Sequence, residues 1–126
     1  MIVATGVDLV ELARIRRLLE RQGERFLARI YTEAERAYCA PRPAAAASFA
    51  ARFAAKEAVM KCLAAGWLDG VAFRQIEVVR QPHGEVGVAL HGHAHELARA
   101  RGIARIHLSL SHTDRQAIAF AVAEGG

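Results

Sequence analysis

Between Ala44 and Ala65 the chain runs without a proline or a glycine, mostly on Ala, Phe, Met, Leu, Lys and Glu. These are strong helix formers, with Pro43 just before the run and Gly66 just after it as start and stop signals. The rest of a short chain must fold around a helix of this length. Phe49, Phe53, Met60 and Leu63 give it apolar body. Phe53, Glu57 and Lys61, however, follow one another at i, i+4 and i+8, so a carboxylate and an ammonium lie in line with an aromatic that should be buried. Such a pair reads either as a surface ion pair worth roughly 0.3–0.5 kcal/mol or as charge held at the edge of a site. The helix alone does not choose.

At 126 residues the chain is expected to form one domain, and its 53% apolar content rules out a disordered one. Only 6% is aromatic, so Ala, Leu, Val and Ile must do most of the packing. A net charge of +4 and a pI near 9.7 favour an acidic partner: a phosphate-bearing ligand, an acidic protein or nucleic acid. Cys39 and Cys62 are far apart and lack zinc spacing, which suggests free thiols in a reducing compartment. No secretory lead and no apolar run of membrane-spanning length is present, so a cytoplasmic location is expected.

Taken in order, Ile2 to Asp8 reads as a buried strand stopped by a carboxylate. A helix follows from about Glu11 to Gln22, with Leu12, Ile15 and Leu19 inward. Arg14, Arg17 and Arg21 share another face, either a solvated basic surface or a docking surface for an acidic protein helix. Arg25 to Tyr31 reads as a short helix, and Thr32 with Glu35 forms a capping box for the next one, which ends near Cys39 before Pro41-Arg42-Pro43. After Gly66 and a turn at Trp67 to Gly70, Phe73 to Gln81 and Val86 to Leu90 form a hairpin. His91-Gly92-His93-Ala94-His95-Glu96 leads into a helix to about Arg101, closed by Gly102. Ala104 to Ser109, which ends at His112-Thr113-Asp114 if the alternation of Leu108 and Leu110 with Ser109 and Ser111 continues, and Ala117 to Ala123 are the last strands, and Gly125-Gly126 is expected to fray. This order predicts an α+β domain, a mainly antiparallel sheet packed against the long central helix. His91, His93 and His95 alternate, but Gly92 and the lack of a shared helical face favour an exposed helix start over a zinc site.

Asp8 at a strand end and Glu57 on the helix are two carboxylates that only tertiary packing can bring together. Oxygen ligands in that number suit Mg²⁺, which keeps waters and completes its shell with substrate phosphates. Lys61 is placed to hold or protonate a phosphate oxygen. Arg52 and Lys56 add positive charge on a neighbouring face, and His112 stands at a strand end. Together they suggest phosphoryl transfer, although the chain has no glycine-rich phosphate loop.

Three motifs strengthen this reading: Gly6-Val7-Asp8-Leu9-Val10-Glu11, Arg52-Phe53-Ala54-Ala55-Lys56-Glu57-Ala58 with Lys61, and Ser109-Leu110-Ser111-His112. In this order and spacing they resemble the holo-acyl-carrier-protein synthases of the 4′-phosphopantetheinyl transferase superfamily, from about Ile2 to Glu124. The resemblance implies transfer of 4′-phosphopantetheine from coenzyme A to a serine of apo acyl carrier protein, releasing adenosine 3′,5′-bisphosphate. It implies that Asp8 and Glu57 hold Mg²⁺, that Glu57 helps remove the serine proton, and that Lys61 serves the leaving phosphate. Arg52 and His112, helped by Arg42, would contact the phosphates of coenzyme A. Arg14, Arg17 and Arg21 would dock the acidic carrier, of fatty-acid or polyketide synthesis. A homotrimer with active sites at subunit interfaces is implied, with no nucleic acid or membrane partner. The chain departs from the family at Leu63-Ala64-Ala65-Gly66, where a Leu-Gly-Thr-Gly turn is usual, and at Gly84-Glu85-Val86, where Gly-Lys-Pro is frequent. The histidine cluster has no counterpart. The competing reading is a non-catalytic module whose basic helix grips an acidic protein or nucleic acid, which leaves Asp8, Glu57 and Lys61 unexplained.

Overall fold

In the computed structural model, which describes residues 1–64 and 70–126, the long helix lies across the inner face of a three-stranded sheet. The elements run β1 (Ile2–Glu11), α1 (Leu12–Gln22), α2 (Glu24–Ile30), α3 (Glu33–Cys39), α4 (Ala45–Cys62), β2 (Ile76–Arg80), β3 (Val86–Leu90), α5 (Gly92–Ala100), β4 (Ile103–His112) and β5 (Gln116–Gly125). β5 pairs antiparallel with both β1 and β4, and β2 with β3 forms a separate antiparallel hairpin. The α+β class and the central helix are as the sequence predicts.

Small residues set the spacing between helix and sheet. The inward positions of β5 are Ala117, Ala119, Ala121 and Ala123, all fully buried, and they face α4 residues such as Ala54 and Ala58, also fully buried. Gly6 takes this furthest, since a Cβ there would overlap the Ala58 carbonyl oxygen and come within 3.2 Å of Lys61 Cβ. Elsewhere α4 meets larger side chains: Tyr31 lies 4.8 Å from Phe49 between ring centroids, and Phe53 stacks on Phe73 at 5.4 Å. The helix is thus covered nearly all round.

Lys56 is the largest departure from expectation. It is not a surface cation beside Arg52 but is fully buried, with its Nζ 2.8 Å from Glu35 Oε1. It also donates to the carbonyls of Phe73 at 3.1 Å and Ile76 at 2.5 Å. Glu35 in turn accepts from Thr32 N and Val78 N, both at 2.8 Å. The expected capping box is present, with Glu35 N donating to Thr32 Oγ1 at 3.2 Å. One network thereby fastens α3, α4 and β2. Burial lowers the Lys56 pKa, and the Glu35 carboxylate opposes that shift.

Other boundaries shift for local reasons. β1 runs past Asp8 to Glu11, because the Asp8 side chain fits on the helix-facing side while the backbone stays paired with β5. Phe73–Gln75 is one 3-10 turn, since Gln75 N bonds the Ala72 carbonyl before the ladder begins. Gly125 is not frayed, as its N–H donates to the Met1 carbonyl at 2.8 Å. Gly23, at φ +51°, provides the left-handed corner between α1 and α2. The expected helix stop at Gly66 and most of the Trp67–Gly70 turn lie outside the described residues. Among the described residues no helix is long and apolar enough to cross a membrane.

Candidate active site

Strand alternation puts Gly6, Asp8 and Val10 toward α4, and Val7 and Leu9 toward the outer face. Because Gly6 lets the helix approach, Lys61 reaches across to β1. Its Nζ donates to the Val7 carbonyl at 2.7 Å and lies 3.7 Å from Asp8 Oδ1. Glu57 stands one turn earlier on the same helix. The two carboxylates are close enough to interact: burial raises the Glu57 pKa, and the charge of Asp8 raises it further, against Arg14 and Lys61. Burial likewise raises Asp8, against Lys61 and Arg14. Arg14 reaches this corner from α1, with its Cζ 5.3 Å from the centroid of the Phe53 ring. Asp8, Glu57, Lys61 and Arg14 therefore form one cluster. Beside it a groove of about 570 Å³ is lined by Arg14, Leu18, Phe26, Phe53, Glu57 and Phe73.

Two half-buried carboxylates and no third ligand group among the described residues make a sparse, all-oxygen donor set. That set fits Mg²⁺, which binds through one or two carboxylates and leaves room for water and phosphate oxygens.

Arg42, Arg52 and His112 gather elsewhere. They line a cleft of about 450 Å³ with Tyr38, Arg80 and Ser109, and among the described residues none lines both this cleft and the groove beside Glu57. Arg52 and Glu57 are five residues apart on α4, hence about 140° apart around it. The expected single constellation is thus split into two half-sites on different faces of one helix. Arg52 is only 5% exposed, and among the described residues its Nε has no hydrogen-bond partner and its Nη1 reaches just the Ser48 carbonyl at 3.5 Å. A buried guanidinium without a carboxylate is costly unless an anion completes it. His112 Nδ1 donates to the Thr113 carbonyl at 3.1 Å.

Arg17 and Arg21 are exposed further along α1. Together with Arg14 they make no ion pair among the described residues. The three histidines around the start of α5 do not converge: His91 bonds Glu77 at 3.0 Å, His93 lies 3.5 Å from Glu96, and His95 lines a small hollow near Arg99. Sequence reasoning missed Tyr38, Arg80 and the spacing role of Gly6. The first two carry no motif, and Gly6 appeared only inside one.

Gly6→Ala is expected to lower both activity and stability, because the added methyl must push α4 off β1 and carry Lys61 and Glu57 away from Asp8. A crystal structure with unchanged Lys61–Asp8 geometry and a parental rate would contradict this.

The profile of the 4′-phosphopantetheinyl transferase superfamily matches residues 4–121. The holo-[acyl-carrier-protein] synthase of Desulforudis audaxviator is 50% identical over 125 residues, covering 99% of this chain and 95% of its own. Among solved structures, the holo-[acyl-carrier-protein] synthase of Neisseria meningitidis superposes with a TM-score of 0.88 at 35% identity, covering 98% of this chain and 99% of its own. That of Helicobacter pylori, in complex with coenzyme A, has a TM-score of 0.84 at 29% identity and covers 96% of this chain and 100% of its own. With the profile covering nearly the whole chain and the fold shared from end to end, the protein belongs to the 4′-phosphopantetheinyl transferase superfamily.

Proposed function

We propose that this protein transfers 4′-phosphopantetheine from coenzyme A to a serine hydroxyl of apo acyl carrier protein, giving holo carrier and adenosine 3′,5′-bisphosphate. The observation that carries it is the Asp8, Glu57 and Lys61 cluster, held together by Gly6, in a chain so similar to holo-[acyl-carrier-protein] synthases. The serine oxygen attacks the phosphorus that bears the pantetheine arm, and the bond to the departing bisphosphate breaks. Glu57, half-buried beside Asp8, accepts the serine proton. Lys61, steadied by the Val7 carbonyl, holds a leaving phosphate oxygen and can give it a proton. Asp8 and Glu57 would hold Mg²⁺, which when bound supplies neutralisation of pyrophosphate charge. Arg42, Arg52 and His112 bind phosphate oxygens of coenzyme A. Arg14, Arg17 and Arg21 dock the acidic carrier, so the KM for carrier should climb with ionic strength while that for an uncharged variant of the helix stays flat.

The two half-sites also support a homotrimer in which the arginine cleft of one subunit completes the acid pair of the next. Val7, Leu9, Ile118 and Phe120 form an adjoining apolar patch on the outer face of the sheet, at 48%, 56%, 40% and 46% exposure. Patches of this kind mark contact surfaces. The two buried, unpaired thiols, Cys39 and Cys62, fit a cytoplasmic enzyme. Incubated with coenzyme A and Mg²⁺, an apo acyl carrier protein should gain the mass of one phosphopantetheine at a serine. An unchanged mass with every carrier tried would sink the proposal.

A further inference from the structure

Three guanidinium groups from separate parts of the chain converge on one ring. Arg42, just after α3, has its Cζ 4.3 Å from the Tyr38 centroid. Arg52, within α4, lies at 4.4 Å, and Arg80, at the end of β2, at 5.0 Å. None of the three makes an ion pair with a carboxylate among the described residues. Glu85 shares the cleft but does not pair with them. Three like charges in so small a space repel one another, and Arg52 is almost fully buried with its Nε unsatisfied. The negative face of an aromatic ring attracts cations, and planar guanidinium groups stack on it. Tyr38 therefore holds together what electrostatics would spread apart, and being neutral it leaves the cluster in need of an anion.

We propose that Tyr38 is a positioning residue, whose ring pre-assembles Arg42, Arg52 and Arg80 to receive the ribose 3′-phosphate of coenzyme A. This rests on reading the cleft as a coenzyme A phosphate site. The pyrophosphate must reach Asp8, Glu57 and Lys61, which line no part of this cleft, whereas the 3′-phosphate is the remote, nearly dianionic group of the same molecule. The aim of the ring is fixed from below. Tyr38 lies about one helical turn beyond Glu35, and the Glu35–Lys56 pair locks α3 against α4. Holding the arginines in place before binding lowers the entropy that the phosphate would otherwise have to offset.

The test compares Tyr38→Leu, which removes the ring, with Tyr38→Phe, which keeps it, using coenzyme A and 3′-dephospho-coenzyme A as donors. For Tyr38→Leu the KM for coenzyme A should rise by about tenfold or more, since one strong cation–π contact is already worth that factor and the ring holds three. Its kcat and its KM for the dephospho donor should stay near those of the parent, and Tyr38→Phe should match the parent with both donors. Calorimetry with adenosine 3′,5′-bisphosphate should show the same loss in Tyr38→Leu. Equal losses with both donors, or a Phe variant as impaired as the Leu variant, would overturn the role of the ring. A parent enzyme that uses both donors with the same KM would instead overturn the phosphate reading of the cleft, and the role of Tyr38 with it.

Discussion

The Glu57→Gln protein should lose transfer by about 10²–10⁴-fold in kcat, the usual contribution of a positioned general base. It should nevertheless unfold, in the presence of a chelator, at a temperature no lower than the parent. Glu57 is half-buried, and both its burial and the neighbouring Asp8 raise its pKa. A carboxyl whose folded pKa lies above its unfolded value binds more protons when folded. At neutral pH its ionised form therefore costs stability, and this cost is relieved as pH falls through the raised value. Glutamine keeps the shape and removes that cost. Activity and stability then move in opposite directions, as expected of a residue kept for chemistry. Kinetics on the carrier together with thermal melts decide it. A variant with the parental rate would remove Glu57 from the mechanism, and one that melts far below the parent would make Glu57 a structural residue.

The neighbouring residue behaves in the opposite way. Breaking the Lys56–Glu35 pair should cost about 3–5 kcal/mol, the typical penalty for leaving one buried charge alone. For a chain of this size that corresponds to a melting point lower by roughly 10–20 °C. Glu35→Ala should be the worse of the two single variants, because it strands Thr32 N and Val78 N and takes away the counter-charge of Lys56, whose Nζ keeps only the Phe73 and Ile76 carbonyls. Lys56→Met leaves Glu35 with both of its backbone donors. Chemical denaturation of the two variants checks the order. A Glu35→Ala protein as stable as the parent would mean that the network contributes little. Adjacent residues on α4 are thus expected to separate, with loss of Lys56 felt first in stability and loss of Glu57 first in rate.

Much of this was legible in the chain. The proline-free and glycine-free run specifies α4, and the Thr32 and Glu35 spacing specifies the capping box. Asp8, Glu57 and Lys61 could be tied together through motif resemblance, and the fold brings them to one corner. What stayed hidden depends on partners distant in sequence. Lys56 looks like any exposed helical lysine until Glu35, Phe73 and Ile76 are placed around it. Arg52 looks exposed for the same reason, and Tyr38 looks like an ordinary aromatic on a short helix. β1 was cut short at Asp8 because a carboxylate is a poor strand residue, yet the pairing with β5 continues through it. The split between the two half-sites follows from the 3.6-residue period of α4, but only a structure shows which cleft each face enters.

That split gives the most direct measurement. Glu57→Gln and Arg52→Met, each nearly inactive alone at low coenzyme A, are unfolded together, refolded as mixed oligomers and assayed for carrier modification. If the arginine cleft of one subunit serves the acid pair of another, some interfaces in the mixture carry both intact halves, and activity returns well above the sum of the two variants. A mixture that forms hybrid oligomers but stays at that sum would contradict the shared site.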